Sequence, residues 1–247
     1  VRGWRFAAAL LLLSPAAAGA ADLTVYSPQI VNGPLRKLAD AWTAQTGNKV
    51  TFAGFNVGRV RAAVENGDAG DVVIAPTGNF SDFAPKLAPA SERPIGRIPF
   101  AVVVKTGGAH PDISSHAKFV AFTKKAGVIA YADPKVGSLT GAMVEEMLKR
   151  PEFVGVEPRP IKDMIGDAIA RGDAEFGGGA LTEILMAKDV EPVGRFPDDL
   201  GLHVDMSAAV LKISAAPSDA EVFLRYVTRL EASPVWKEGG VIETPKK

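Results

Sequence analysis

Residues 49–75 read KVTFAGFNVGRVRAAVENGDAGDVVIA, and this stretch decides the fold. Its last five residues, Asp71 to Ala75, make a nearly all-apolar run, the pattern of a strand covered on both faces. Ahead of it, Val60, Ala63 and Val64 fall at helical spacing between about Gly58 and Asn66, and Gly67 supplies a stop. Lys49 to Ala53 reads as an earlier strand. Strand, helix and strand joined by short loops are the unit of a parallel sheet wound by right-handed crossovers.

The same alternation extends in both directions. Upstream, Leu23 to Tyr26 reads as a strand. Asn32 and Gly33 can cap a helix whose first turn suits Pro34, and Leu35, Leu38, Ala39 and Trp42 form its apolar stripe before Gly47. Downstream the pattern restarts, with strands at Ile98 to Val104 and Val128 to Ala132, then a helix from Thr140 to Arg150 ended by Pro151. Ile165 to Arg171 and Leu181 to Lys188 read as weaker helices around a Gly177-Gly178-Gly179 turn. Met206 to Ile213 is strand-like, and a last helix from Asp219 to Leu230 buries Ala220, Phe223, Leu224, Val227 and Leu230. The polar, proline-rich stretch from Pro85 to Pro99 and the segment from Pro197 to His203 are the expected crossings between two lobes.

Composition narrows the function. Hydrophobic residues make up 47% of the 247 and charged ones 23%, a globular balance. Lys+Arg and Asp+Glu stand at 28 each, so no basic excess exists to neutralise phosphates and a nucleic-acid partner is not expected. At the N-terminus, Arg2 and Arg5 precede a continuous apolar run from Phe6 to Leu13, broken by Pro15 and followed by Ala18-Gly19-Ala20. This is the order of a cleaved export signal, residues 1–20. Even extended to Ala21, the run falls short of the ~20 residues a membrane span needs. Cysteine is absent, so no disulfide and no lipid attachment is expected. An unanchored exported protein is retained only behind an outer membrane, which points to the periplasm.

No catalytic or cofactor constellation is legible. There is no GxxxxGK[ST] phosphate loop, no dinucleotide fingerprint and no G-x-S-x-G elbow. His110, His116 and His203 lack a zinc spacing. Asp198-Asp199 reads as a solvated turn. The expectation is no enzyme, no metal and no cofactor.

Five ordered pieces then carry a resemblance. They are Gln45-Thr46-Gly47 ending the first helix, and Glu65-Asn66-Gly67 followed by Asp71-Val72-Val73-Ile74-Ala75. Next come Tyr131-Ala132-Asp133-Pro134 with Gly137-Ser138-Leu139-Thr140-Gly141, then Arg171-Gly172-Asp173-Ala174-Glu175-Phe176-Gly177, and Phe196-Pro197-Asp198-Asp199-Leu200. Together they resemble the molybdate-binding-protein-like branch of type II periplasmic binding proteins. The resemblance implies two α/β lobes with a ligand cleft between them, lobe 1 from residues 21–98 plus 204–247 and lobe 2 from 99–203. It further implies a monomer that hands a small anion to an ABC permease of the inner membrane.

On that scaffold the ligand sits where loops after strands meet helix N-termini, whose free N–H groups and dipole favour anions. Four loops are expected to line the cleft. The first offers Ser27, Asn32 and Gly33, with Asn32 also a candidate cap. The second offers Asn56, Val57, Gly58 and Arg59. It departs from the family by lacking hydroxyls there, while Arg59 could pair with a carboxylate or oxyanion or simply face solvent. The third offers Ser138, Thr140 and Gly141, and the fourth Gly177, Gly178 and Gly179 with Thr182. Molybdate or a like oxyanion is the family default, and the altered second loop pushes toward a small carboxylate or another anion. A sensory binding protein and an exported enzyme on the same scaffold are the competing classes.

Overall fold

β1 (Asp22–Pro28), α1 (Asn32–Thr46), β2 (Lys49–Phe55), α2 (Val57–Asn66) and β3 (Val72–Pro76) open the chain in the computed structural model, which describes residues 20–244. The segment read as an export signal lies outside the described residues, apart from Ala20. α1 buries Leu35, Leu38, Ala39 and Trp42 and stops at Gly47. α2 is capped by Asn56, whose Oδ1 accepts the Arg59 N–H at 2.9 Å. Next come α3 (Phe80–Phe83), β4 (Arg93–Lys105), α4 (His116–Ala126), β5 (Val128–Ala132) and α5 (Leu139–Leu148). β6 (Glu157–Ile161), α6 (Ile165–Arg171), β7 (Gly177–Ala180), α7 (Leu181–Ile184) and β8 (Val190–Arg195) follow. The described chain finishes with β9 (His203–Val210), α8 (Pro217–Thr228) and α9 (Ser233–Glu238).

The strands are ordered β2-β1-β3-β9-β4-β7-β5-β6, with β8 also on β4. β1 is parallel to β2 and β3, and β5 is parallel to β6 and β7. Each lobe therefore repeats one plan. A central parallel strand has its successor on one side and the next strand on the other, which leaves a topological switch point at its C-terminal end. β4 ties the two halves together. It pairs antiparallel with β9 from Arg93 to Pro99, then with β7 from Phe100 to Val103 and with β8. The return runs beside it, where the Phe196 N–H donates to the Phe100 carbonyl at 2.8 Å.

Burial explains why these segments hold. Val72, Val73, Ile74 and Ala75 of β3 are all inaccessible, as the all-apolar run requires. Trp42 on α1 meets Phe223 on α8 edge-on at 5.1 Å, so the late helix seals the first lobe. In the second lobe Phe119 of α4 packs on Phe196 and Phe153 at 4.6 and 6.0 Å.

Several local readings of the sequence are corrected. Leu230, read as buried at the end of the last helix, lies beyond α8 and is 85% exposed. Gly177-Gly178-Gly179 is not a turn but most of β7, pinned between β4 and β5. β6 and β8 carry prolines and were not expected as strands. β6 is an edge strand and Pro192 sits at a β-bulge against Val102/Val103, the positions where a missing N–H is tolerated. α4, capped by Ser115, was also not anticipated.

Candidate functional site

A cavity of about 260 Å³ opens where five chain segments leave the C-terminal ends of strands. β1 leads into Pro28, Gln29 and Ile30, and β2 into Phe55, Asn56 and Val57. β5 leads into Ala132 and Val136 to Thr140, β6 into Lys162 to Ile165, and β7 into α7, which contributes Glu183. The cavity thus lies at the switch points of both halves, where the strand order predisposes an open α/β sheet to bind.

The polar lining is sparse and fixed. Ser138 caps α5, its Oγ accepting the Gly141 N–H at 3.0 Å, and it shares a hydrogen bond of 3.1 Å with the Thr140 hydroxyl. Asn56 spends Oδ1 on α2, while its amide nitrogen lies 3.1 Å from where a Cβ on Gly137 would stand. The β2–α2 and β5–α5 loops therefore meet across the mouth. Lys162 is an exposed cation at the rim with no ion-pair partner among the described residues, whereas the neighbouring Asp163 is engaged by Arg171 at 2.9 Å. Phe55 stands 61% exposed at the edge with φ 79°, a left-handed conformation unusual for an aromatic residue. Such strain concentrates where a side chain must be aimed.

Glu183 differs from every other group in the cavity. Its carboxyl has no hydrogen bond or ion pair among the described residues, and burial alone pushes its pKa up to about 7. Beside it Thr182 is 1% exposed with an unpartnered hydroxyl.

Of the residues expected from the sequence, Asn56, Ser138 and Thr140 line the cavity together. Ser27 and Asn32 do not. Ser27 is buried and donates to Asn32 Oδ1 at 2.7 Å, so the pair stitches β1 to α1, and the Asn32 side chain caps nothing. Gly58 and Arg59 lie exposed on the first turn of α2, outside the lining, because the side chain at Asn56 rather than at Arg59 faces the gap. Gly141 is a packing residue: a Cβ there would fall 1.7 Å from the Ala132 carbonyl oxygen. Gly178 and Gly179 are buried in β7, where a Cβ would meet Phe196 at 2.8 Å and Ile165 at 3.3 Å respectively. Gln29, Phe55, Lys162 and Glu183 were missed. For Glu183 a signal existed, since reading Gly177 to Ala180 as a strand places Thr182-Glu183 at a strand end like the other loops.

Among the described residues no group of three or more His, Cys, Asp or Glu is placed to hold a metal, and no helix is long and apolar enough to cross a membrane.

Two α/β lobes joined through β4, with a cavity at the strand ends of both, define the type II periplasmic binding protein class. The family model for bacterial extracellular solute-binding proteins matches residues 23–241, and the chain belongs to that family. Its fold is that of a Clostridium difficile substrate-binding domain assigned to a molybdenum ABC transporter, at TM-score 0.72, with 14% identity over 92% of this chain and 100% of that one. The periplasmic molybdate-binding protein of Azotobacter vinelandii superimposes at TM-score 0.69, with 21% identity over 91% of this chain and 100% of that one. In sequence, the chain is 27% identical to an aconitate isomerase of a Pseudomonas species, over 96% of this chain and 95% of the relative.

Proposed function

We propose that this chain is a periplasmic binding protein that captures a small polycarboxylate in the cavity and presents it to an ABC permease. The observation that carries this reading is the mixed lining. Ile30, Val57, Val136, Leu139, Met164 and Ile165 make apolar walls, and polar groups occupy only a few points. A bare tetrahedral oxyanion has no use for such walls, whereas a carbon skeleton bearing carboxylates does.

The hydroxyls of Ser138 and Thr140, the Asn56 amide and Lys162 supply the donors. The relative named for aconitate supports the same ligand class. Delivery to a permease and residence in the periplasm rest on the family. The same capture would serve a sensory receptor equally. A second reading, catalysis on the captured anion, is favoured by one observation, the unpartnered Glu183.

The test is thermal denaturation against molybdate, sulfate, citrate, tricarballylate and the two aconitates. A ligand at one hundred times its dissociation constant adds about 2.7 kcal/mol. For a chain of this size that raises Tm by roughly 5–10 °C. We expect shifts with the tricarboxylates and none with molybdate, and the reverse pattern would overturn the ligand class. Lys162→Ala should weaken binding about tenfold or more, the usual worth of a charged hydrogen bond, while Arg59→Ala should leave the shift intact.

A further inference from the structure

A carboxyl group inside an anion site helps binding only while it is protonated and can donate a hydrogen bond. Ionised, Glu183 would repel the ligand, and among the described residues no cation pairs with it. Lys162, also in the lining, forms no ion pair with it. The charged side chains on the elements packed against α7 are occupied elsewhere or exposed. On β4, Arg93 holds Glu221 and Arg97 holds Asp205; on β8, Glu191 holds His110; on α6, Arg171 holds Asp163 and Asp173. Lys105, Asp167 and Arg195 are exposed. The group is left as a partly buried acid in the lining of the cavity, to which Ile165 and Met164 add apolar surface.

We propose that the cleft also catalyses proton transfer at carbon, with Glu183 as the acid–base group acting on a captured unsaturated polycarboxylate. This rests on the carboxylate reading of the same site. The carboxylate of Glu183 takes a proton from a CH₂ lying between a carboxylate and a carbon–carbon double bond, forming O–H as C–H breaks. The freed pair becomes a new double bond to the adjacent carbon. The old π pair moves to the far carbon, where the substrate's own carboxylate oxygens share the charge. Glu183 then returns its proton to that far carbon. The double bond has moved by one position, Glu183 is restored, and no oxidant, reductant or cofactor is consumed. Hydroxyl donors at Ser138 and Thr140 and the Lys162 ammonium are the groups available to hold the charge that accumulates on oxygen.

A group that ionises near neutrality is matched to this work, because it is basic enough to take the proton and acidic enough to return it.

The experiment follows cis-aconitate, trans-aconitate and the saturated analogue tricarballylate by proton NMR in D₂O with the full chain. We expect exchange of the CH₂ protons and interconversion of the aconitates, at a rate that rises with pH to a plateau with a midpoint at or above about 7. Glu183→Gln should lower the rate by at least about 100-fold, the lower end of acid–base contributions. The same variant should bind tricarballylate at least as tightly as the parent, since it removes a negative charge from the site. Binding of tricarballylate without any exchange by the parent would overturn catalysis and leave the binding reading standing. Exchange that survives Glu183→Gln would overturn the role of Glu183. A failure of all three acids to bind would overturn the carboxylate reading and this inference with it.

Discussion

Glu183 taxes the fold whenever it ionises, and the pH dependence of that effect follows from its position. The folded chain holds the carboxyl proton up to about pH 7, where an ordinary glutamate releases it near 4.5. Between these values the folded state binds more protons than the unfolded one, so stability falls as pH rises through the window. The contribution is fully present below about 4.5 and lost above about 7. At ~1.4 kcal/mol per tenfold change in proton affinity, the loss reaches about 3 kcal/mol at most, and water entering the cavity reduces it. Glu183→Gln carries no such cost. Its ligand-free Tm should exceed the parent's by as much as about 5–10 °C at pH 8, and the two should coincide near pH 4.5. Equal Tm values at both pH values would place the carboxyl in water. Nothing in the sequence around Leu181-Thr182-Glu183-Ile184 announces this, because the desolvation comes from strands and loops distant in the chain. Arg59 was open between a ligand and a solvent-facing side chain, and the structure places it exposed on the first turn of α2, outside the lining.

At the scale of elements, the parallel plan was legible and the cleft-forming details were not. Runs such as Asp71 to Ala75 and Ile98 to Val104 announce themselves because a strand buried on both faces has no polar alternation to confuse it. β7 was hidden because three glycines read as a turn, whereas their smallness serves packing, letting Ile165 of α6 and Phe196 close on the strand. Gly141 makes the same point more sharply. The first turn of α5 lies directly on the end of β5, and a Cβ at Gly141 would stand 1.7 Å from the Ala132 carbonyl oxygen. Gly141→Ala must push α5 off β5 and carry Ser138 and Thr140 away from the cavity. We expect a loss of about 3 kcal/mol or more, measured by urea denaturation, together with loss of the tricarballylate shift in whatever protein remains folded. Gly58→Ala, exposed and with nothing closer than Asn56 Oδ1 at 3.5 Å, is the matched control and should change neither. A harmless Gly141→Ala would show that the β5–α5 junction yields.

At the scale of the whole molecule, capture requires the two halves to move as units about the strands that join them. β4 is continuous from Arg93 to Lys105 while its partners change between Pro99 and Phe100, and the halves also pack where Met186 approaches Gly33 and Leu181 approaches Gly240. Across the gap, Asn56 lies close against Gly137. A ligand bonded to both the β2–α2 and β5–α5 loops has more contacts when that approach is made than when it is lost, and this difference alone can shift the equilibrium between open and closed forms. The sequence contains no cysteine, so spin labels can be attached at two introduced sites without background. Arg59, on the first turn of α2, and Lys135, in the β5–α5 loop, are exposed and suit the pair Arg59→Cys with Lys135→Cys. Without ligand, the label separation should be long or broadly distributed. Saturating tricarballylate should collapse it to one shorter, narrower distribution. Labels on one half only, at Arg59→Cys and Lys86→Cys, should report no change, since α2 and the segment around Phe83 and Leu87 share one core over β3. If the ligand raises Tm while the cross-gap distance stays fixed, capture occurs in a preformed cavity, and closure about β4 is not how this protein holds its anion.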